Sequence, residues 1–212
     1  MDEIPRRLSR AESQDLTRRR LIEAAREIIV RDGVGSASVR SIAAAAGYSQ
    51  GAFYSNFPGK EHLLLAVMED HLDALAKRFE TVAQAVLSSP VTAGDKSVPG
   101  EIASFFRGLN PKGDWSTLAV ELQLHANRSV EMSDQYAKRR DAFLARIGAA
   151  FAAIFQHLNV APAICPNELA MGLVSTSVGF AIQFGGPITN EVRARFMTSI
   201  VEAILSTAPA AD

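Results

Sequence analysis

The chain has one cysteine and one tryptophan among its 212 residues. A single cysteine, Cys165, excludes an internal disulfide and is typical of proteins from a reducing cytoplasm. No uninterrupted apolar run reaches the length of about 18 residues that a transmembrane helix requires. The first ten residues are charged and lack an apolar stretch, which argues against a secretory signal. We therefore expect a cytoplasmic protein that does not contact a membrane.

Signatures of enzyme chemistry are also missing. The sequence contains no glycine-rich phosphate loop, no Gly-x-Ser-x-Gly elbow and no His-Glu-x-x-His pair. The four histidines, at positions 62, 71, 125 and 157, are not at metal-ligand spacing from one another. We expect no catalytic residue, no metal and no cofactor.

The net charge of -1 hides an uneven distribution. Residues 1–60 carry ten basic and seven acidic side chains, whereas residues 61–212 carry twelve basic and sixteen acidic ones. A basic N-terminal quarter on an acidic remainder is the pattern expected of a DNA-binding domain attached to a body that does not bind DNA. Arg6, Arg7 and Arg10 lie in a polar segment, residues 1–14, which is interpreted either as a DNA-contacting arm or as a disordered tail.

Hydrophobic periodicity predicts an all-α protein of nine helices, and no segment alternates as a strand would. The first helix is predicted at 16–31, and a long fourth helix at 60–88 carries one apolar stripe into the C-terminal part. The later helices are predicted at 101–109, 114–128, 133–157, 167–184 and 190–207, with a loop at 88–100. Proline and glycine separate them.

Two short helices after the first one predict a helix-turn-helix. Ser38 and Ser49 each precede a short helix, where a serine hydroxyl caps the free N–H groups of the first turn. Gly47 lies between the two helices and supplies a sharp turn that a Cβ would penalise. A glycine-containing turn between amphipathic helices is typical of DNA readers, whose second helix enters the major groove.

The polar side chains of this segment are suited to DNA. Glutamine and asparagine bind adenine, arginine binds guanine, and small residues let a helix sit deep in the groove. A lysine at a helix N-terminus favours a phosphate. The predicted DNA-contacting residues are Ser38, Arg40, Tyr48, Ser49, Gln50, Gly51, Ala52, Tyr54, Asn56 and Lys60. A plain three-helix bundle with a solvated polar face would show the same periodicity, so periodicity alone leaves both interpretations open.

The order of these motifs resembles the N-terminal domain of TetR-family repressors. The matching segments are 17–25, 38–43, 45–57 and 60–64, about the first quarter of the chain. Tyr48 and Phe53 depart from the family pattern, which usually has a small aliphatic residue and a leucine there, but both remain hydrophobic. Tyr48 either contacts a base methyl or phosphate, or only packs. The resemblance implies an all-helical ligand-binding body and a homodimer formed by the last two helices.

The C-terminal part offers candidates for both roles. The predicted ligand-binding residues are Phe105, Trp115, Glu121, His125 and Met171. Glu121 and His125 are one helical turn apart, so they face the same side; a surface pair or a buried, hydrogen-bonded histidine is the other interpretation. The predicted dimer residues are Gly172, Thr176, Gly179, Phe180, Val192, Phe196 and Ile200. Their stripes also fit an intramolecular core.

Together, these patterns predict a DNA-binding domain at residues 1–62 and an effector-binding and dimerisation domain at 63–212. The expected function is transcriptional repression: a homodimer binds a palindromic double-stranded DNA operator and is released by a small apolar or amphipathic effector. The alternatives are a ligand-independent DNA-binding accessory protein and an all-helical enzyme or carrier. The first predicts weak sequence preference, and the second predicts no salt-sensitive DNA binding.

Overall fold

A computed structural model of the chain describes residues 9–90, 97–108, 114–184 and 186–211. The described residues form nine α-helices and one 3₁₀ helix, which confirms the predicted all-α class. The helices are α1 Arg10–Asp32, α2 Val39–Ala45, α3 Gln50–Tyr54, α4 Lys60–Leu87, α5 Ser97–Gly108, α6 Asp114–Ala126, α7 Val130–His157, α8 Pro166–Gln183 and α9 Gly186–Thr207; the 3₁₀ helix is Val34–Ser36. We call α1–α3 the head and α5–α9 the body, and α4 joins them.

The start of α1 differs from the prediction. The helix begins at Arg10 because Ser9 and Glu12 form a capping box, in which the Glu12 N–H donates to Ser9 Oγ at 3.2 Å and the Ser9 N–H donates to Glu12 Oε2 at 2.7 Å. Residues 10–14 are therefore helical and not part of a disordered arm. Arg6 and Arg7 lie outside the described residues.

Proline explains two further differences. Helix α5 begins at Ser97 and includes Pro99, although the sequence predicted a loop up to residue 100. Helix α9 begins at Gly186 and includes Pro187, although the sequence predicted a start at residue 190. In both helices the proline lies in the first turn, where its missing N–H costs no intrahelical hydrogen bond.

The head is built around one core that continues into the body. Leu21, Ile29, Ile42, Phe53 and Phe57 are almost completely buried between α1, α2, α3 and the turn before α4. The same cluster includes residues 63–68 of α4, Leu118, Leu122 and Ala126 of α6, and Met132 and Tyr136 of α7. Apolar packing is therefore continuous across residue 62.

A second core holds the body together. It is centred on aromatic residues of α4, α5 and α7, and the rings of Phe79 and Phe151 lie 4.8 Å apart. Helix α4 contributes to both cores; its 28 residues correspond to about 42 Å at 1.5 Å per residue. One helix thus links the packing of the head to that of the body.

Candidate DNA-binding surface and body cavity

Serine caps fix the N-termini of both helices of the helix-turn-helix. Ser38 Oγ accepts a hydrogen bond from the Ser41 N–H at 3.0 Å, and Ser49 Oγ accepts one from the Ala52 N–H at 3.2 Å. Gly47 lies between the helices with φ of 76°, a conformation that L side chains rarely adopt. These three features confirm the turn that the sequence predicted.

Six of the ten predicted DNA-contacting residues are exposed on one continuous segment of the head. They are Ser38, Arg40, Ser49, Gln50, Gly51 and Tyr54. Tyr54 is 57% exposed although it is a large hydrophobic residue. A Cβ on Gly51 would meet only Ser49 Oγ, at 3.6 Å, so the outer face of α3 is open to close approach by a ligand as large as a nucleic acid.

The other four, Tyr48, Ala52, Asn56 and Lys60, are half-buried. Asn56 lies after the end of α3, and its Nδ2 donates to the Ala52 carbonyl at 2.8 Å. That bond uses an amide donor predicted to reach adenine, so the structure gives Asn56 a capping role. Lys60 Nζ donates to the Val34 carbonyl at 2.9 Å. An ammonium has three donors, so two remain for a phosphate.

Helix α1 holds the end of α3 in place, which the sequence analysis did not predict. Gln14 Nε2 donates to the Ser55 carbonyl at 3.3 Å, and Arg18 Nη1 donates to the Asn56 carbonyl at 3.3 Å. The Arg18 guanidinium also lies 4.3 Å from the centroid of the Phe57 ring, which is a cation–π distance. The partners are about forty residues apart in sequence, so local patterns carry no signal for them.

An apolar cavity of about 60 Å³ lies in the body between five helices, α4 to α8. Most of its lining is aliphatic or aromatic, and none of the described side chains that line it is an acid, a lysine or an arginine. The lining residues are His71, Leu75, Phe79, Phe105, Phe106, Ser116, Ala119, Phe143, Ile147, Phe151, Ala170, Leu173, Val174, Ser177 and Val178. Such a concave apolar site with a few polar groups is typical of small-molecule pockets.

Among the described residues that line the cavity, His71 alone has an ionisable side chain. It is 3% exposed. Burial, with a smaller contribution from the charge of Arg26, lowers the pKa of His71 to about 3. The imidazole is therefore neutral at neutral pH, and a bound molecule would meet an uncharged wall.

Of the five predicted ligand-binding residues, only Phe105 is found among the described lining of this cavity. Met171 is 52% exposed on α8. Glu121 Oε2 accepts a hydrogen bond from the Val34 N–H at 3.0 Å, and His125 Nε2 lies 3.3 Å from Glu61 Oε1. These two side chains face the head and not the cavity, which corrects the prediction. The side chain of Trp115 lies outside the described part of the chain.

Helix α6 thus has two functional faces. Ser116 and Ala119 line the cavity. Leu118 and Leu122 are buried in the core of the head, and Glu121 bonds to the 3₁₀ helix that precedes α2. A displacement of α6 by a molecule in the cavity would therefore act directly on the head.

Ion pairs join α4 to α7 outside the cavity. Arg146 donates to both carboxylate oxygens of Glu80, from Nε at 2.8 Å and from Nη2 at 2.9 Å, and to Asp73 Oδ1 from Nη1 at 2.7 Å. These acceptors raise the pKa of Arg146 above its already high value. The bidentate geometry aligns the two long helices along the cavity wall.

Helices α8 and α9 present an apolar outer face. Met171, Ile182, Phe184, Val192 and Phe196 are exposed hydrophobic residues of this pair. The Phe180 and Phe196 rings lie 5.6 Å apart, which joins the two helices. A Cβ added to Gly172 or Gly179 would meet no described atom within 4 Å. The predicted dimer residues thus lie on or beside an uncovered face, except that Ile200 also packs against the body core.

Within the described ranges, no helix is both long and apolar enough to cross a membrane. The same ranges contain no group of three or more histidine, cysteine or acidic side chains that could hold a metal ion.

Comparison with known proteins agrees with this arrangement. The sequence model of "Bacterial regulatory proteins, tetR family" matches residues 21–67. The chain is 32% identical over 140 residues to the HTH-type transcriptional regulator SrpR of Pseudomonas putida; the match covers 61% of this chain and 60% of SrpR. It is also 32% identical over 140 residues to the HTH-type transcriptional regulator TtgW of the same species, covering 61% of this chain and 95% of TtgW.

The fold is shared with solved structures. A TetR-family transcriptional regulator from Mesorhizobium loti superposes with a TM-score of 0.75 at 17% identity, over 96% of this chain and all of that one. The relatives are transcriptional regulators by name, and the matching family segment contains the turn and the exposed helix α3 described above. The chain therefore belongs to the TetR family of DNA-binding transcriptional regulators.

Proposed function

We propose that the protein is a homodimeric repressor whose grip on a palindromic operator is released by a small apolar or amphipathic effector bound in the body cavity. The observation that carries this proposal is the double contact of α6, which lines the cavity with Ser116 and Ala119 and bonds to the head through Glu121. Residues 1–62 are the proposed DNA-binding unit, and residues 63–212 are the proposed effector-binding and dimerisation unit.

The DNA-binding part of the proposal rests on the exposed residues of α2 and α3. Arg40 and Gln50 are exposed near the N-termini of these helices, where side chains of a helix-turn-helix reach base edges. Ser38, Ser49 and Lys60 position the helix ends or contact phosphate, and Tyr54 offers its hydroxyl to phosphate. One α3 can read only a few base pairs, so useful specificity requires two half-sites about 34–36 Å apart.

The dimer part of the proposal rests on the uncovered face of α8 and α9. Phe184 is 68% exposed and Phe196 is 46% exposed, and burying such side chains against a second copy would be favourable by about 1.5–3 kcal/mol each. The open space above Gly172 and Gly179 lets a partner helix approach closely. We propose a four-helix bundle formed by α8 and α9 of two copies.

The effector part of the proposal requires the cavity to grow. An engineered apolar cavity of about 150 Å³ holds benzene, whereas the cavity here measures about 60 Å³. A larger molecule must displace side chains or helices, and α4 and α6 connect those walls to the head. This expansion gives an effector different affinities for two states, without which it could not shift their populations.

The test has two stages. Operator DNA is first selected from random double-stranded DNA with the full-length protein, and its binding is followed by fluorescence anisotropy. A panel of neutral and amphipathic small molecules of increasing size is then screened for stabilisation of the protein and for DNA release. A 100-fold loss of operator affinity corresponds to about 2.7 kcal/mol of coupling, and DNA must weaken effector binding by the same factor.

A cavity-filling variant locates the effector. Val174→Phe on α8 adds a ring to the cavity lining and should abolish the response to the effector while operator binding without effector persists. Ala149→Leu, on an exposed position of α7, is the control and should respond as the parent does. If selected DNA binds but no compound stabilises the protein or releases DNA, the ligand-independent function replaces the proposed one.

A further inference from the structure

Arg193 is a buried cation that the DNA-binding function does not require. It lies on α9, its side chain is 1% exposed, and burial lowers its pKa below the usual range. Its hydrogen bond runs from Nη2 to the carbonyl of Phe106 at 3.0 Å, while Nε is buried without a described partner. Within the described part of the chain, no carboxylate pairs with it.

A structural role alone accounts for part of this arrangement. Phe106 lies in the last turn of α5, where backbone carbonyls lack intrahelical partners and a cation is favoured by the helix dipole. However, a guanidinium has five N–H donors, and one carbonyl satisfies few of them. A buried charge is costly unless it is both paired and hydrogen-bonded. The carbonyl supplies one bond and no counter-charge.

The position of Arg193 connects it to the body cavity. Phe106 lines the cavity and is also the residue whose carbonyl holds Arg193. Arg193 itself is not part of the lining, so Phe106 separates its guanidinium from the cavity. Because the cavity must expand to admit an effector, a displacement of Phe106 would both enlarge the apolar space and uncover a cation beside it.

We propose that Arg193 recognises a carboxylate on the effector, and that the effector is therefore an apolar acid whose aromatic or aliphatic part fills the cavity. This inference rests on the proposed effector site and adds the charge of the ligand to it. The five phenylalanines of the lining surround the apolar part. The guanidinium supplies the two parallel N–H groups that a carboxylate binds bidentately.

The experiment compares acids with their uncharged amides on the full-length protein. The pairs are 3-phenylpropanoate with 3-phenylpropanamide and octanoate with octanamide, and binding is measured by calorimetry and by the shift in thermal unfolding. Acetate supplies the carboxylate without an apolar part. The acids should bind at least ten-fold more tightly than the amides, and acetate should not bind measurably.

Variants assign the preference to Arg193. Arg193→Met should remove the advantage of the acid, and Arg193→Lys, which keeps the charge but loses the fork geometry, should lower acid affinity several-fold. Arg195→Met is the control, since Arg195 is exposed on the same helix. Circular dichroism checks that each variant is folded. If Arg193→Met does not fold, the lysine variant and the acid–amide comparison decide the question.

Three results would overturn the inference. Equal affinity for acid and amide would show that the cavity accepts neutral molecules, and the proposed effector function would survive. A folded Arg193→Met protein that still prefers acids would show that another group binds the carboxylate. Absence of binding by every acid would leave Arg193 as a cap of α5, and the Val174→Phe comparison would then decide the effector function independently.

Discussion

The carboxylate of Glu121 accepts a hydrogen bond from the backbone N–H of Val34, with 3.0 Å between Oε2 and N. Val34 begins the 3₁₀ helix between α1 and α2, and Glu121 lies on α6, a wall of the cavity. The preceding Gly33 has φ of 81° and would place a Cβ only 3.4 Å from the same oxygen. A turn next to the helix-turn-helix is thus held by a helix of the body.

We expect Glu121→Ala to loosen this junction. The substitution leaves a partly buried backbone N–H without its acceptor, which costs about 1–3 kcal/mol. Glu121→Gln keeps an uncharged acceptor and should cost less. Urea unfolding measures the free energy of unfolding, and anisotropy measures how strongly an effector reduces operator affinity. If the alanine variant unfolds and responds to the effector as the parent does, Glu121 does not couple the body to the head.

The helix-turn-helix could be predicted because its determinants are local. Serine caps, the positive φ of Gly47 and the inward positions of Phe53 and Phe57 all follow from residues within a few positions of one another. The starts of α5 and α9 could not, because a proline that breaks a helix and a proline in its first turn look alike in sequence. The distinction depends on where the helix starts, which the apolar pattern does not specify.

The cavity and the junction were harder to predict because their partners are distant in sequence. Spacing placed Glu121 and His125 on one face of α6, but it did not show that this face packs against the head. The burial of His71 follows from the packing of α4 against other helices, which its own spacing does not reveal. Arg193 gave no signal because its partner, the Phe106 carbonyl, is 87 residues away.

Two substitutions test the proposed base contacts of α2 and α3. Arg40→Ala and Gln50→Ala should each lower affinity for the selected operator by about 1–3 kcal/mol and relax the preference at one position of each half-site. Affinity for unrelated DNA should change less. Arg195→Ala removes an exposed positive charge on α9 and serves as the control. Unchanged operator affinity in both variants would place the base contacts on other residues.

A third substitution distinguishes phosphate contact from base reading. Lys60→Ala should weaken binding to all DNA sequences alike and reduce the dependence of affinity on salt, because one fewer counterion is released. The Lys60 ammonium also bonds to the Val34 carbonyl, so thermal unfolding must be measured alongside. A variant with normal stability and an unchanged salt slope would show that Lys60 is only a structural tie.

Assembly is tested at Phe196. Phe196→Glu places a carboxylate in the proposed apolar interface, which is costly unless the dimer dissociates. Since Phe196 is 46% exposed in a single copy, the monomer should tolerate the change. Light scattering should show a monomer with reduced operator affinity, whereas Arg195→Ala should remain dimeric. A folded Phe196→Glu dimer with normal DNA binding would place the interface on another surface.

The depressed pKa of His71 predicts an acid-sensitive fold. Burial keeps the folded-state pKa near 3, while the group titrates near 6.5 when exposed. Between these values the unfolded chain binds one more proton than the folded chain, so the free energy of unfolding should fall as the pH falls. The loss reaches at most about 1.4 kcal/mol per pH unit below pH 6.5, or about 2 kcal/mol at pH 5. His71→Leu should flatten the dependence between about pH 6.5 and 5, measured by urea unfolding, and His62→Gln, at an exposed histidine of the same helix, should not. Equal slopes for the parent and His71→Leu would show that His71 titrates normally and that the cavity wall is wetter than its lining indicates.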